Sequence, residues 1–290
     1  MKTILVTGSK GQLGSELQYL SPVFPQFRFV FTDVDELDIT DEKKLDNYLS
    51  SICPDILINC AAYTAVDKAE SDQENARRIN ALAPGLIGKL AKKHNFRVIH
   101  TSTDYVFDGS SSIPLKEDDF TNPVSVYGVT KLDGEKALLV ENPDAIIIRT
   151  AWLYSVYGNN FVKTMIRLGN EREQLGVVSD QVGSPTNAED LALAILQIIE
   201  FSFLHRWNPG IYHYSNEGVC SWYEFALEIH RMAGVNCFVK PIVTSEYPTA
   251  AKRPEYSLLD KTKIKNTFGI EISGWKESLE KCIKRIDPIR

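Results

Sequence analysis

Tyr127 and Lys131 stand four residues apart in the stretch Tyr127-Gly128-Val129-Thr130-Lys131. On a helix they would share one face, one turn from each other. An ammonium held close to a phenol favours the phenolate, which predicts a tyrosine acid able to work near neutral pH. The same spacing also occurs on ordinary solvent-facing helices, so its meaning depends on the rest of the chain. Ser102-Thr103-Asp104 follows the apolar run Arg97-Val98-Ile99-His100-Thr101. A hydroxyl at the carboxyl end of that strand can donate to a carbonyl oxygen beside the tyrosine. Backbone capping is the commonplace use of such residues.

A tyrosine acid of this kind needs a cofactor, and the start of the chain has the form of a cofactor site. Thr3-Ile4-Leu5-Val6 reads as a buried strand and runs into Thr7-Gly8-Ser9-Lys10-Gly11-Gln12-Leu13-Gly14, a G-x-x-G-x-x-G turn opening a helix. In such a turn Gly8 permits the tight bend, Gly11 lets the backbone approach a pyrophosphate, and Gly14 lets helix pack closely on strand. The free amides at the helix start face the anion. Asp33 ends the next apolar run, Phe29-Val30-Phe31-Thr32, and is placed to bond the adenosine ribose hydroxyls. No arginine follows Asp33 directly, which tilts the cofactor towards NADH over NADPH, unless a basic loop residue serves the phosphate. Asp38-Ile39 fall where the adenine would lie. The small residues of Cys60-Ala61-Ala62-Tyr63-Thr64 leave room for a ligand outside the third strand.

Further strands are read at Asp55-Ile56-Leu57-Ile58-Asn59 and Ala145-Ile146-Ile147-Ile148-Arg149. Helices fall between them. One starts at Thr40 as cap and runs to about Ser51; a long one spans Asp67 to His94, broken near Pro84. Strand and helix alternating in this way predict an α/β fold, a doubly wound parallel (Rossmann) sheet with right-handed crossovers. Residues 1–150 read as its nucleotide-binding domain. The pattern weakens after Trp152, and residues 151–290 read mainly as a smaller, discontinuous substrate-binding lobe, with about 175–205 packing on the Rossmann domain.

Composition narrows the partners. The chain has 290 residues, 43% hydrophobic and 24% charged, with a net charge of −6. No long basic run invites nucleic acid. The first glycine comes too early for a signal peptide, and the apolar stretch Leu191 to Ile199 is too short to span a bilayer. The five cysteines are odd in number and show no C-x-x-C spacing, which predicts reduced thiols, a cytoplasmic location and no zinc site. The histidines at 94, 100, 205, 213 and 230 are scattered and read as core or surface residues.

With these motifs in hand, the chain resembles the extended short-chain dehydrogenase/reductase superfamily, and within it the dTDP-4-dehydrorhamnose reductase family. Gly8-x-x-Gly11-x-x-Gly14, Thr103 and Tyr127-x-x-x-Lys131 carry the broader likeness. Asn59 to Glu70, Ser102 to Phe107, Arg149 to Tyr154, Gly158 to Met165, Asp180 to Thr186 and Arg253-Pro254 carry the closer one. The resemblance implies NADH- or NADPH-dependent reduction of the 4-keto group of dTDP-4-dehydro-L-rhamnose, a step towards cell-surface polysaccharide. It implies that Tyr127 donates the proton, with Lys131 binding the nicotinamide ribose and lowering the tyrosine pKa. Thr103 and Asp104 would contact the sugar, Trp152 would pack on the substrate, and Arg253 would meet its pyrophosphate. Gly11, Gln12, Leu13, Asp33, Asp38, Ile39, Ala62, Tyr63 and Thr64 match cofactor contacts. Some relatives of this kind are homodimers with Mg2+ held between subunits by glutamates. Glu16 and Glu189 match two of those positions, and the tail at 287–290 offers no third glutamate.

Two other functions are compatible with the same motifs. A nucleotide-sugar epimerase or dehydratase of the superfamily would return the hydride and consume no cofactor. A non-catalytic regulatory subunit would keep the nucleotide-binding fold without turnover; the presence of Thr103, Tyr127 and Lys131 speaks against it.

Overall fold

The structure, a computed structural model, describes residues 1–286. Its centre is a six-stranded sheet of β1 (Lys2–Thr7), β2 (Phe27–Thr32), β3 (Ile56–Asn59), β4 (Arg97–Thr103), β5 (Ile146–Thr150) and β6 (Gly210–Tyr214). The spatial order is β6-β5-β4-β3-β1-β2, and every pairing is parallel. The chain leaves β1 for one edge and returns to the other side of β1 at β3. The crevice outside the carboxyl ends of β1 and β3 is therefore the switch point where such sheets bind ligands.

Parallel strands are covered on both faces, so their residues are apolar without interruption. Alternate side chains then feed opposite cores. Ile4, Val6, Ile56 and Ile58 pack with Leu13 and Leu17 of α1 (Gln12–Leu20). Leu5, Leu57, Val98 and Ile147 pack with Leu45 and Leu49 of α2 (Glu42–Ile52), with α3 (Ala83–His94), and with Leu138 of α4 (Val126–Glu141). A separate core joins α5 (Phe161–Glu171), α6 (Trp222–Ala233), α7 (Trp275–Ile286) and the paired strands Gln174–Val178 and Phe238–Ile242.

Several local expectations change. Asp41, not Thr40, caps α2: its carboxylate accepts the amide of Lys44, and acids outrank threonine at that position. Pro84 does not break its helix. It follows a π turn over Arg78–Leu82, which carries the helical path through into α3. The chain after residue 150 crosses between layers more than once. Ala188–Leu204 and Thr262–Phe268 pack on the central sheet, β6 extends that sheet, and Gln174–Val178 lies in the other layer.

Behind the sheet's carboxyl end an ion pair ties α4 to β5. Glu135 and Arg149 are 1% and 2% exposed. Arg149 Nη2 and Nε bond the Glu135 carboxylate at 2.7 and 3.0 Å, and Ser102 Oγ donates to the same group. Removing one partner strands a buried charge, whereas removing both need not. Arg149→Met is expected to lower unfolding free energy by about 3–5 kcal/mol, read from urea denaturation. The double variant Glu135→Leu/Arg149→Met should recover most of that loss. A single variant costing under ~1 kcal/mol would contradict this account.

Candidate active site

The glycine turn and the Tyr127 helix open onto one cavity of about 830 Å³ at the switch point. Gly8 has φ +67°, and a Cβ there would lie 2.6 Å from the Ala61 amide nitrogen. That close approach brings the first turn against the end of β3. Gly11, Gln12, Leu13 and Gly14 line the cavity with the free amide end of α1 behind them. Asp33, Asp38 and Ile39 line its far end. Asp33 already accepts the amides of Lys10 and Val34, each at 2.8 Å. These features fit a dinucleotide: a bare amide cradle for phosphates and carboxylates for ribose.

At the other end, Ser125 caps α4 by accepting the Gly128 amide at 3.2 Å. A Cβ on Gly128 would overlap the Tyr105 carbonyl. Glycine at that place therefore lets α4 close on the turn Asp104–Val106. The closure sets the Tyr127 ring edge-on to Tyr105, with centroids 5.4 Å apart. Tyr127 and Lys131 both line the cavity. Lys131 is 2% exposed, and its Nζ donates to the Thr101 carbonyl at 2.7 Å. Thr103 and Asp104 are buried behind the cavity wall, Thr103 Oγ1 donating to Asp104 Oδ1 at 3.0 Å. The other Asp104 oxygen is buried with no hydrogen-bond partner.

Electrostatics correct one expectation. The Tyr127 phenol lies above its ordinary value, not below it. Burial pushes the phenol up to about 12, against the pull of the Thr103 hydroxyl and with the Asp104 charge adding to the rise. Burial also brings Lys131 down to about 8, opposed by Glu135. Asp104 rises to about 6 by burial, opposed by the Ser257 and Thr103 hydroxyls.

The remaining candidates divide. Trp152, Ala62 and Thr64 reach the cavity wall. One face of Trp152 is stacked on Trp222 at 3.6 Å. Tyr63 turns away, its hydroxyl donating to Asp72 at 3.0 Å. Arg253 lies off the wall, paired to Asp67 at 2.7 Å. Sequence reasoning missed Arg78, Tyr105 and the pair Gly158-Asn159. Arg78 and Asn159 carry no spacing signal, since the fold alone brings them to the cavity. Arg78 bonds Thr40 at 2.9 Å and lies 3.7 Å from Asp38, so a basic side chain does stand at the Asp38 end of the cavity.

A magnesium ion does not fit between Glu16 and Glu189. Arg285 Nη1 already bonds both carboxylates, at 2.8 and 2.6 Å. The tail at 287–290, where a third glutamate was sought, lies outside the described residues.

Comparison with known proteins agrees with this geometry. The family model of the RmlD substrate binding domain matches residues 1–287. The chain is 42% identical to a dTDP-4-dehydrorhamnose reductase of Aggregatibacter actinomycetemcomitans, over 97% of this chain and 98% of that one. It is 40% identical to the enzyme of that name from Escherichia coli, over 98% and 97%. Among solved structures, a dTDP-4-dehydrorhamnose reductase from Clostridium acetobutylicum superposes with a TM-score of 0.93 at 44% identity, covering 98% of this chain and 99% of that one. One from Bacillus anthracis, in complex with NADP, gives 0.92 at 38% identity, covering 98% and 100%. A glycine turn, a tyrosine–lysine helix and full-length likeness all lead to one conclusion: the chain belongs to the RmlD substrate-binding-domain family, that of the dTDP-4-dehydrorhamnose reductases.

Proposed function

We propose that this protein reduces the 4-keto group of dTDP-4-dehydro-L-rhamnose to give dTDP-L-rhamnose, using NADPH or NADH. The observation that carries the reading is that Tyr127, Lys131 and the glycine turn face one cavity. When bound, the nicotinamide supplies a hydride to the carbonyl carbon. Tyr127 gives its hydroxyl proton to the carbonyl oxygen as charge grows there, and Thr103 turns its hydroxyl from Asp104 to donate a hydrogen bond to the same oxygen. A phenol near 12 is fully protonated at neutral pH, the state a donor needs. Lys131 holds the nicotinamide ribose and keeps positive charge beside the phenol as its proton leaves. Gly8, Gly11, Gln12, Leu13 and Gly14 cradle the pyrophosphate. Asp33, Asp38 and Ile39 take the adenosine, and Ala62 and Thr64 complete that wall.

Residues 151–290 supply most of the sugar-nucleotide side. Trp152 covers the sugar with the face that Trp222 leaves free. Asp104 accepts a sugar hydroxyl, and Arg253 turns from Asp67 to the substrate pyrophosphate, where a forked cation suits two phosphate oxygens. The cysteines, all unpaired, fit a reducing cytoplasm.

Incubating the protein with the keto-sugar and each reduced nicotinamide tests the assignment. Steady loss of nicotinamide absorbance, with dTDP-L-rhamnose identified by NMR, is expected. Sugar conversion without cofactor consumption would instead indicate an epimerase or dehydratase. Tyr127→Phe should cut turnover about 10²–10⁴-fold while cofactor affinity stays nearly constant. Undiminished turnover would remove Tyr127 as the acid.

Two pH effects follow from the buried charges. Asp104 binds as a carboxylate, so KM for the sugar should rise as pH falls through about 6. Asp104→Asn should raise KM and flatten that limb; an unchanged limb would exclude Asp104. For Lys131 the folded pKa of about 8 lies below the usual 10.5. Burying the charge therefore costs stability in full below about pH 8, and the cost fades as pH climbs towards 10.5. Lys131→Met should abolish most turnover yet raise unfolding free energy at pH 7 by about 2 kcal/mol, after allowing for the lost bond to Thr101. Denaturation curves at pH 7 and 10 check this. A variant destabilised at pH 7 would contradict it.

A further inference from the structure

Glu16 is 0% exposed on α1, one turn beyond the glycine turn. A carboxylate so placed needs a positive partner and filled lone pairs. Its Oε2 takes Arg285 Nη1 at 2.8 Å, and the same nitrogen reaches Glu189 at 2.6 Å. The guanidinium lies 4.1 Å from the Tyr19 ring centroid and 5.8 Å from that of Tyr157. Arg285 stands in the last turn of α7, far from Glu16 in sequence. The cation is therefore brought by the fold to the place where the resemblance implied a Mg2+.

Its other consequence lies on the cofactor side. Glu16 Oε1 accepts the Ser155 hydroxyl at 2.6 Å, and Ser155 Oγ accepts the Tyr157 amide at 3.0 Å. Asn160 Nδ2 closes the same loop, donating to the Ser155 carbonyl at 2.7 Å and to Gln12 Oε1 at 3.0 Å. Between them, Gly158 and Asn159 line the cavity beside Gln12 of the phosphate turn. A chain of bonds thus runs from Arg285 through Glu16 and Ser155 to the cavity wall. Without the guanidinium, Glu16 would be an uncompensated buried charge. It would swing towards water, and that movement releases Ser155.

We propose that Arg285 is a positioning residue that holds the 155–160 loop against the bound cofactor, acting as a built-in cation in place of a divalent metal. The proposal rests on the cavity being the nicotinamide site. It makes cofactor affinity depend on a helix that touches no cofactor, and it makes the protein indifferent to chelation.

The test measures NADPH binding to the full chain by energy transfer from tryptophan, together with steady-state kinetics. Arg285→Met should weaken NADPH binding about tenfold and raise its KM alike, with kcat and the sugar KM changed by less than about twofold. Ser155→Ala leaves the docking of α7 intact and should weaken NADPH binding about three- to tenfold. Arg285→Lys should recover part of the loss. EDTA and added MgCl2 should leave the unaltered chain's NADPH affinity and melting temperature unchanged. Unchanged affinity in both Arg285→Met and Ser155→Ala overturns the relay, as does a chelation loss that Mg2+ restores. If Arg285→Met does not fold, Ser155→Ala decides. An unaltered chain that binds no NADPH overturns the cofactor reading and the relay with it; one that binds it while both variants are silent overturns the relay alone.

Discussion

An ammonium held almost out of water is the constraint that shapes this site. Lys131 has one close acceptor for its protons, the Thr101 carbonyl at 2.7 Å; His100 Nε2, at 3.5 Å, offers none. The Ala61 amide donates to Asn59 Oδ1, which fixes that amide's orientation and aims Nδ2 at His100 Nδ1. Burial keeps His100 neutral, so its one hydrogen sits on Nε2 and faces the lysine. Glu135, one turn along α4, steadies the charge without touching it. An ammonium left short of partners in this way is a strong donor to hydroxyls arriving with a ligand.

The same burial explains why the tyrosine differs from its expected character. Proximity of an amine to a phenol lowers the phenol's pKa only if their attraction outweighs desolvation, and here desolvation wins. For a group proposed to deliver a proton this is no handicap. An alkoxide is a far stronger base than a phenolate, so the transfer remains downhill from a phenol near 12. Spacing put the pair on one face of α4, where both line the cavity, but the spacing rule carries no information about how much water the finished fold excludes.

What was legible in the chain followed from local physics. Buried parallel strands read as unbroken apolar runs, so β1, β3, β4 and β5 were visible, and the glycine spacing marked the turn after β1. Features made by distant segments left no such trace. Gly128 looks ordinary until Tyr105 is found against it. The pairing of β6 with β5 brings together residues some sixty positions apart. Arg285 meets Glu16 across nearly the whole chain, and Arg78 reaches the cavity from a π turn that no propensity scale anticipates. The sheet is thus coded strand by strand, whereas the walls of the cavity are coded by which segments the fold finally sets side by side.

The cleft itself depends on how the chain leaves β5. Trp152 adopts φ +50°, a conformation that a bulky side chain avoids unless its surroundings impose it. Those surroundings are tight. Thr186 donates its amide to the Trp152 carbonyl at 3.2 Å and shares a hydroxyl bond with Thr150 at 3.1 Å, while Trp222 covers one face of the indole. The bend turns the chain from the end of the central sheet into the second layer, at Leu153–Tyr154. It then delivers Ser155 to Glu16 and Gly158 to Gln12. One short segment therefore sets three things together: where the second layer sits, which indole face is left towards the cavity, and how closely the phosphate turn is covered. Relaxing the bend at Trp152 would shift all three at once.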